Sequence, residues 1–351
     1  MSLKCPECQS EILENTNFCS HCGAVIKIPS SFKLSRGQTI SGRYEIIEEL
    51  GSGGMGIVYR GYDKKTDEEL TLKLIRPEIA SDKKTIERFR NELKLARKIA
   101  HRNVGKMYDI NEEKGMSYLT MEYIPGQNLE GLIKQTGRLT IGRAISITKQ
   151  ICLGLGEAHR LGVIHRDLKP SNIMIDKNGN AQIMDFGVAR SVEAKGNTAE
   201  GSIVGTPAYI SPELVEGIKA DQRSDVYSLG VLLFEMTTGK TPFQGETPLR
   251  IAIKHKTESP PDPKSLNNQI SENLNNLILK CLEKDRKKRV QSTEEFLSEL
   301  NLVEKDITTD ERDKQEEKQE KRDGEKKGQK EYLSIPHPFF WLFFFLSLLS
   351  Q

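Results

Sequence analysis

One long segment changes its apolar period part-way along, and this limits the folds open to the chain more than any other feature. From about residue 40 to about residue 302 the early part reads in twos and the later part mainly in threes and fours. Residues 44–50 and 56–62 have strand character on either side of a glycine loop, 70–75 is a third such run and 117–124 a fourth. Among them, Ile86, Phe89, Leu93, Ala96 and Ala100 recur at helical spacing over residues 82–100, with Glu92 at the inward edge of that stripe. Further helices are predicted at 141–161, 223–238, 272–282 and 293–300. Strands first and helices afterwards imply an α+β body of two lobes rather than alternating βαβ units.

At 351 residues the chain has room for more than this body. Composition separates a cysteine-rich head (1–26), a Ser/Pro linker (27–39), the body (40–302), a charged run (303–332) and an apolar tail (333–351). Lys and Arg total 52 against 50 Asp and Glu, with the signs interspersed. That balance lacks the basic stripe of a nucleic-acid binder, so no nucleic-acid partner is expected. No apolar stretch follows the start in the manner of a secretory signal, so a cytoplasmic, reducing compartment without disulfides is expected. Cys152 and Cys281 lie in apolar helical patterns and read as small buried hydrophobes.

The body carries three chemical features in order. The first is the loop Gly51-Ser52-Gly53-Gly54-Met55-Gly56-Ile57-Val58, where residues without Cβ let backbone N–H groups approach phosphates. A dinucleotide-binding loop would open a helix, whereas Ile57, Val58 and Tyr59 continue as a strand. The second is Lys73, an ammonium in an apolar strand that needs an anionic partner, for which Glu92 is the candidate. The third pairs His165-Arg166-Asp167-Leu168-Lys169-Pro170-Ser171-Asn172 with Asp185-Phe186-Gly187.

Together these residues resemble the protein-kinase signature over residues 40–302, in the manner of bacterial membrane-associated serine/threonine kinases. The resemblance implies a bilobal protein-kinase fold, with an antiparallel β N-lobe holding one helix and a mainly helical C-lobe. It also implies a cleft for ATP with Mg²⁺ or Mn²⁺. The cleft would be lined by Gly51 to Gly56, Val58, Thr71 and the hinge Met121-Glu122-Tyr123-Ile124, with the Glu122–Ile124 backbone against adenine. By the same resemblance Lys73 holds the α- and β-phosphates and pairs with Glu92. Asn172 and Asp185 bind the metal, Asp167 accepts the proton of the attacking hydroxyl, and Lys169 neutralises the γ-phosphate. His165 and Phe186 are structural, Asp225 is the family's buried helix aspartate, and Glu213 with Arg289 is its ion pair. Lys169 and Gly205-Thr206 indicate serine or threonine acceptors in protein substrates. Arg166 is the arginine that commonly meets an activation-loop phosphate, for which Thr198 and then Ser202 are the candidates, modified in trans with the help of a homodimer or of concentration at a membrane; the alternative is a constitutively ordered loop in which the charge of Glu200 suffices. Two departures stand out: Thr71 where alanine is usual, and Ser211 in place of the alanine of Ala-Pro-Glu. Loss of Lys73, Asp167 or Asp185 would indicate a pseudokinase scaffold, and loss of the 205–213 segment would suit a small-molecule kinase; none is lost.

In the head, Cys5-Pro-Glu-Cys8 and Cys19-Ser-His-Cys22 place two thiol pairs ten residues apart, a spacing that suits structural Zn²⁺. A redox dithiol and idle cysteines are the alternatives. The head resembles a small zinc ribbon, too short to fold without metal. Residues 304–331 are almost all charged and polar and read as a juxtamembrane spacer. The tail, with Phe339 to Leu346 at its centre, is open between a membrane segment and an interfacial or aggregation-prone tail. Lys326, Lys327 and Lys330 suit a flank on the inner face of the cell membrane.

Overall fold

The computed structural model describes residues 3–4, 8, 10–12, 33–53, 56–77, 83–186 and 207–306. The chain divides into two compact units, residues 1–301 and 302–351, and the fold below is that of the first. In the head, β1 (Leu3–Lys4) and β2 (Glu11–Ile12) pair antiparallel, with Cys8 in the connection.

The N-lobe is an antiparallel sheet of order β3-β4-β5-β6-β8-β7. Its strands are β3 (Thr39–Ile40), β4 (Tyr44–Gly53), β5 (Gly56–Asp63), β6 (Glu68–Ile75), β7 (Met107–Glu113) and β8 (Met116–Glu122). Ile46, Ile57, Tyr59, Leu72 and Leu74 bury their side chains in one cluster, as the alternation requires. The β4–β5 ladder continues to the pair Gly53–Gly56, so the glycine loop is the tip of a hairpin and not a separate loop. Edge strand β7 lacks a clean alternation, being bulged between Met107 and Asp109, and its pattern does not announce it.

Helix α1 (Lys83–Ala96) lies beside β7, with Arg90 paired to Glu112 and, in the turn after the helix, Arg97 paired to Asp109. It ends four residues earlier than its period suggests, at the turn 97–98. Ile99 is therefore the buried residue and Ala100 is exposed.

The C-lobe contains α2 (Leu129–Thr136), α3 (Ile141–Arg160), α4 (Pro212–Val215), α5 (Gln222–Thr238), α6 (Pro248–Thr257), α7 (Pro263–Leu266) and α8 (Glu272–Cys281), and a further helix begins at residue 293. Asn128, Thr140, Asp221, Thr247 and Ser271 each cap the helix they precede through a side-chain oxygen. Helix α5 is buried on nearly every side, so it carries no amphipathic stripe, and Gly239 ends it at φ 79° in the left-handed region. A small sheet of order β11-β10-β9 covers the lobe near the cleft: β9 (Gly126–Asn128), β10 (Ile173–Asp176), β11 (Ala181–Ile183). Its β10–β11 hairpin sets the spacing between Asn172 and Asp185.

Among the described residues no helix is long and apolar enough to cross a membrane. Residues 307–351, where the spacer and tail expectations fall, lie outside the described residues.

Candidate active site

Two turns meet in the cleft: the segment 165–172 that leads from α3 into β10, and residues 184–186 leaving β11. Their backbones are fastened through His165. The Asp167 N–H donates to His165 Nδ1 at 3.3 Å, so the ring proton sits on Nε2, which donates to the Met184 carbonyl at 2.9 Å. The Met184 N–H in turn donates to the Asn172 carbonyl at 2.8 Å. With both nitrogens engaged, His165 is scaffolding, and Phe186 packs edge-on against it with ring centroids 4.7 Å apart.

Asp225 of α5 anchors the first turn from below. Its carboxylate accepts the backbone N–H groups of His165 and Arg166 and His159 Nε2, each at 2.8 Å. Burial alone would raise this carboxyl's pKa, but the hydrogen bond and charge of His159 outweigh it and hold the group below its ordinary value. This anchorage holds Arg166 at φ 68°, and Asp185 sits at φ 62°, two side-chain-bearing residues in the left-handed region. Such conformations persist only where surrounding contacts enforce them.

Five polar side chains converge on these turns. Lys73 Nζ from β6 lies 2.7 Å from Asp185 Oδ2 and Lys169 Nζ lies 2.6 Å from Asp167 Oδ2. Asn172 Nδ2 donates to the Asp167 carbonyl at 2.9 Å and to its Oδ2 at 3.3 Å. Burial raises the Asp185 carboxyl, but the adjacent Lys73 charge and hydrogen bond override it and keep the group below the usual carboxylate range.

The expected Lys73–Glu92 pair is not formed. Glu92 on α1 instead meets Arg166 Nη1 at 2.9 Å. The physical reason is a choice of partners: Asp185 already neutralises the buried Lys73 ammonium, while Arg166 offers Glu92 a planar guanidinium suited to a carboxylate.

The glycines of the loop differ in purpose. A Cβ on Gly56 would lie 1.9 Å from the Leu74 carbonyl oxygen, so this glycine is required by strand packing, whereas Gly51 and Gly53 face open space. Val58 stands opposite Lys73 in the β5–β6 register, Ser52 opposite Ile57, and Thr71 is buried opposite Met121. In the hinge, the Glu122 N–H and carboxylate are both committed to the Lys106 backbone, while Met121 and Ile124 are buried. Arg60 lies over the Tyr123 ring, 4.8 Å from its centroid. Arg76, 3% exposed, donates Nε and Nη2 to the Gly53 carbonyl at 3.2 and 3.0 Å. Sequence reasoning missed this latch, whose one signal is an arginine closing an apolar strand three residues after Lys73.

Beneath the cleft, Arg289 grips Glu213 through two hydrogen bonds of 2.9 and 2.8 Å, and Ser224 Oγ donates to Glu213 Oε1 at 2.6 Å. Gly54, Met55, Gly187, Thr198, Ser202, Gly205 and Thr206 lie outside the described residues, as do Cys5, Cys19 and Cys22. Cys8 Sγ is 2.8 Å from Ser10 Oγ, and the described residues alone contain no group of three metal-ligating side chains.

Residues 44–299 match the protein kinase domain family, and residues 4–26 match a zinc-ribbon domain family. The chain is 38% identical over 264 residues to serine/threonine-protein kinase PrkC of Bacillus subtilis, covering 75% of this chain and 41% of that protein. It is 37% identical over 267 residues to serine/threonine-protein kinase PknB of Mycobacterium tuberculosis, covering 74% of this chain and 43% of that protein. It thus spans less than half the length of these curated relatives. Among solved structures, the kinase domain of Mycobacterium tuberculosis PknI superposes with a TM-score of 0.64 at 24% identity, covering 77% of this chain and 99% of that one.

Proposed function

Because the chain belongs to the protein kinase domain family, we propose that it transfers the γ-phosphoryl group of ATP to serine and threonine hydroxyls of proteins. The observation that carries this reading is the convergence of Lys73, Asp167, Lys169, Asn172 and Asp185 on one pair of turns. Phosphoryl transfer asks for positioning and charge neutralisation, and each of these groups supplies one part.

Asp167 is the proton acceptor for the attacking hydroxyl, oriented by Lys169 and Asn172. Asn172 turns its amide nitrogen toward Asp167, which leaves its amide oxygen as the atom for a cation. With the Asp185 carboxylate this makes a set of hard oxygen donors that fits Mg²⁺ or Mn²⁺, and such an ion supplies neutralisation of phosphate charge. Lys73 positions the α- and β-phosphates, Lys169 faces the γ-phosphate, and the open backbone at Gly51 and Gly53 leaves room for phosphate oxygens.

Control runs through Arg166. Its Nη1 holds Glu92, and its buried Nε has no hydrogen-bond partner among the described residues. A phosphate on Thr198, or on Ser202, placed in trans within a homodimer, would draw Arg166 away and free Glu92 for Lys73. In the head, Cys5, Cys8, Cys19 and Cys22 form a thiolate set suited to one structural Zn²⁺. Metal analysis should find one equivalent of zinc per chain, lost on replacing Cys5 and Cys8 by serine.

The test of activity is phosphoamino-acid analysis of a generic protein substrate after incubation with labelled ATP. Label on serine and threonine, abolished in Lys73→Met, is the expected result. Near-wild-type transfer by Lys73→Met, with contaminating kinases excluded, overturns the reading.

A further inference from the structure

The loop between α1 and β7 is bound edge-on to the end of β11. Val104 and Ile183 form a parallel bridge, the Gly105 N–H donates to the Ile183 carbonyl at 3.0 Å, and the Ile183 N–H donates to the Asn103 carbonyl at 2.9 Å. This pairing sets Gly105 beside Met184, the residue immediately before Asp185. A Cβ built on Gly105 would lie 2.3 Å from Met184 Sδ, 2.9 Å from its Cε and 3.3 Å from Ile124 Cδ1. The glycine therefore leaves a slot that the Met184 thioether occupies, with the hinge residue Ile124 at its border.

Met184 has little freedom apart from that side chain. Its N–H is taken by the Asn172 carbonyl and its carbonyl by His165 Nε2. Its inner side packs on the buried cluster of Ile75, Leu93, Leu119 and Met121, which has no room to spare. With the slot filled, the thioether must leave it, away from the packed cluster.

We propose that Gly105 is a positioning residue for the nucleotide site: the slot it leaves keeps the Met184 thioether out of the space beneath the hinge and Asp185 in line with Lys73. The inference rests on the reading of this cleft as a nucleotide site. Gly105 touches no reacting group and acts through Met184.

A double-mutant cycle on the full chain tests it, using calorimetric titration with Mg²⁺ and a non-hydrolysable ATP analogue, with melting temperature measured alongside. Gly105→Ala is expected to weaken nucleotide binding about tenfold, the effect of one methyl forced into a filled site. Met184→Ala removes the obstructing thioether, so Gly105→Ala in that background is expected to change Kd by less than about twofold. If Gly105→Ala also melts lower, Met184→Ala must restore melting temperature and Kd together. Equal binding by wild type and Gly105→Ala, or effects that simply add, overturns the slot while leaving the nucleotide site standing. A wild-type chain that binds no nucleotide overturns both.

Discussion

Ser211 carries a fully buried hydroxyl with no hydrogen-bond partner among the described residues, two positions before the Glu213 that Arg289 grips. A buried donor left unsatisfied costs about 1–3 kcal/mol, more than a methyl's packing at that point would lose. Ser211→Ala should therefore leave stability unchanged or raise it by up to about 1 kcal/mol in denaturant unfolding; a loss above that size would show that the hydroxyl has a partner. Glu213 is the opposite case. Burial raises its carboxyl, but Arg289 and Ser224 hold it below the ordinary range. Glu213→Gln strands a guanidinium in the interior and should cost about 3–5 kcal/mol, measured in the same way. Residues of this kind were legible in the sequence, because the family's motif fixes their spacing. Partner choice was not: whether Glu92 meets Lys73 or Arg166 depends on where α1 sits, and no spacing encodes that. The Gly105 slot was hidden for a similar reason, since its occupant lies 79 positions away and is brought there by a parallel bridge.

At the scale of elements, His255 of α6 is enclosed by Tyr227 of α5, Phe243 and Lys284. Its ring is wholly buried, with Nδ1 2.9 Å from the Tyr227 hydroxyl, Phe243 edge-on at 4.8 Å and Lys284 Nζ on its own carbonyl at 2.8 Å. Burial first, and the Lys284 charge second, push its pKa down to about 3. The folded chain thus keeps His255 neutral, whereas the unfolded chain protonates it near its ordinary value of 6.5. Between these values the unfolded state binds more protons, so stability is full above about pH 6.5 and falls as pH drops toward 3, by up to about 1.4 kcal/mol per pH unit. Melting temperatures from pH 7 to pH 5, above the carboxylate range, should fall for wild type and flatten in His255→Gln; equal slopes would refute the assignment. The elements themselves were legible where apolar period was strong, as in α3 and α8, or where apolar residues ran on almost unbroken, as in α5. Strands β7, β9, β10 and β11 and helices α2 and α6 were not, being short, edge-placed or held by tertiary pairing rather than by their own pattern.

Across the whole molecule, an antiparallel sheet and a helical lobe hold two turns together, and Asp225 beneath them holds one turn's backbone in a conformation it would not adopt alone. The bilobal division was readable from the change of apolar period, and the cleft from the order of its motifs. The arrangement of α1, with Glu92 on Arg166, appears only in three dimensions. On the function proposed above, this scaffold serves to present Asp167 to a hydroxyl. The most direct measurement is the initial rate of phosphoryl transfer from ATP to a protein substrate by wild type and Asp167→Asn, with melting temperature as a control. The expected result is a loss of at least about a hundredfold with the fold unchanged. Near-wild-type turnover in a folded Asp167→Asn protein would contradict it.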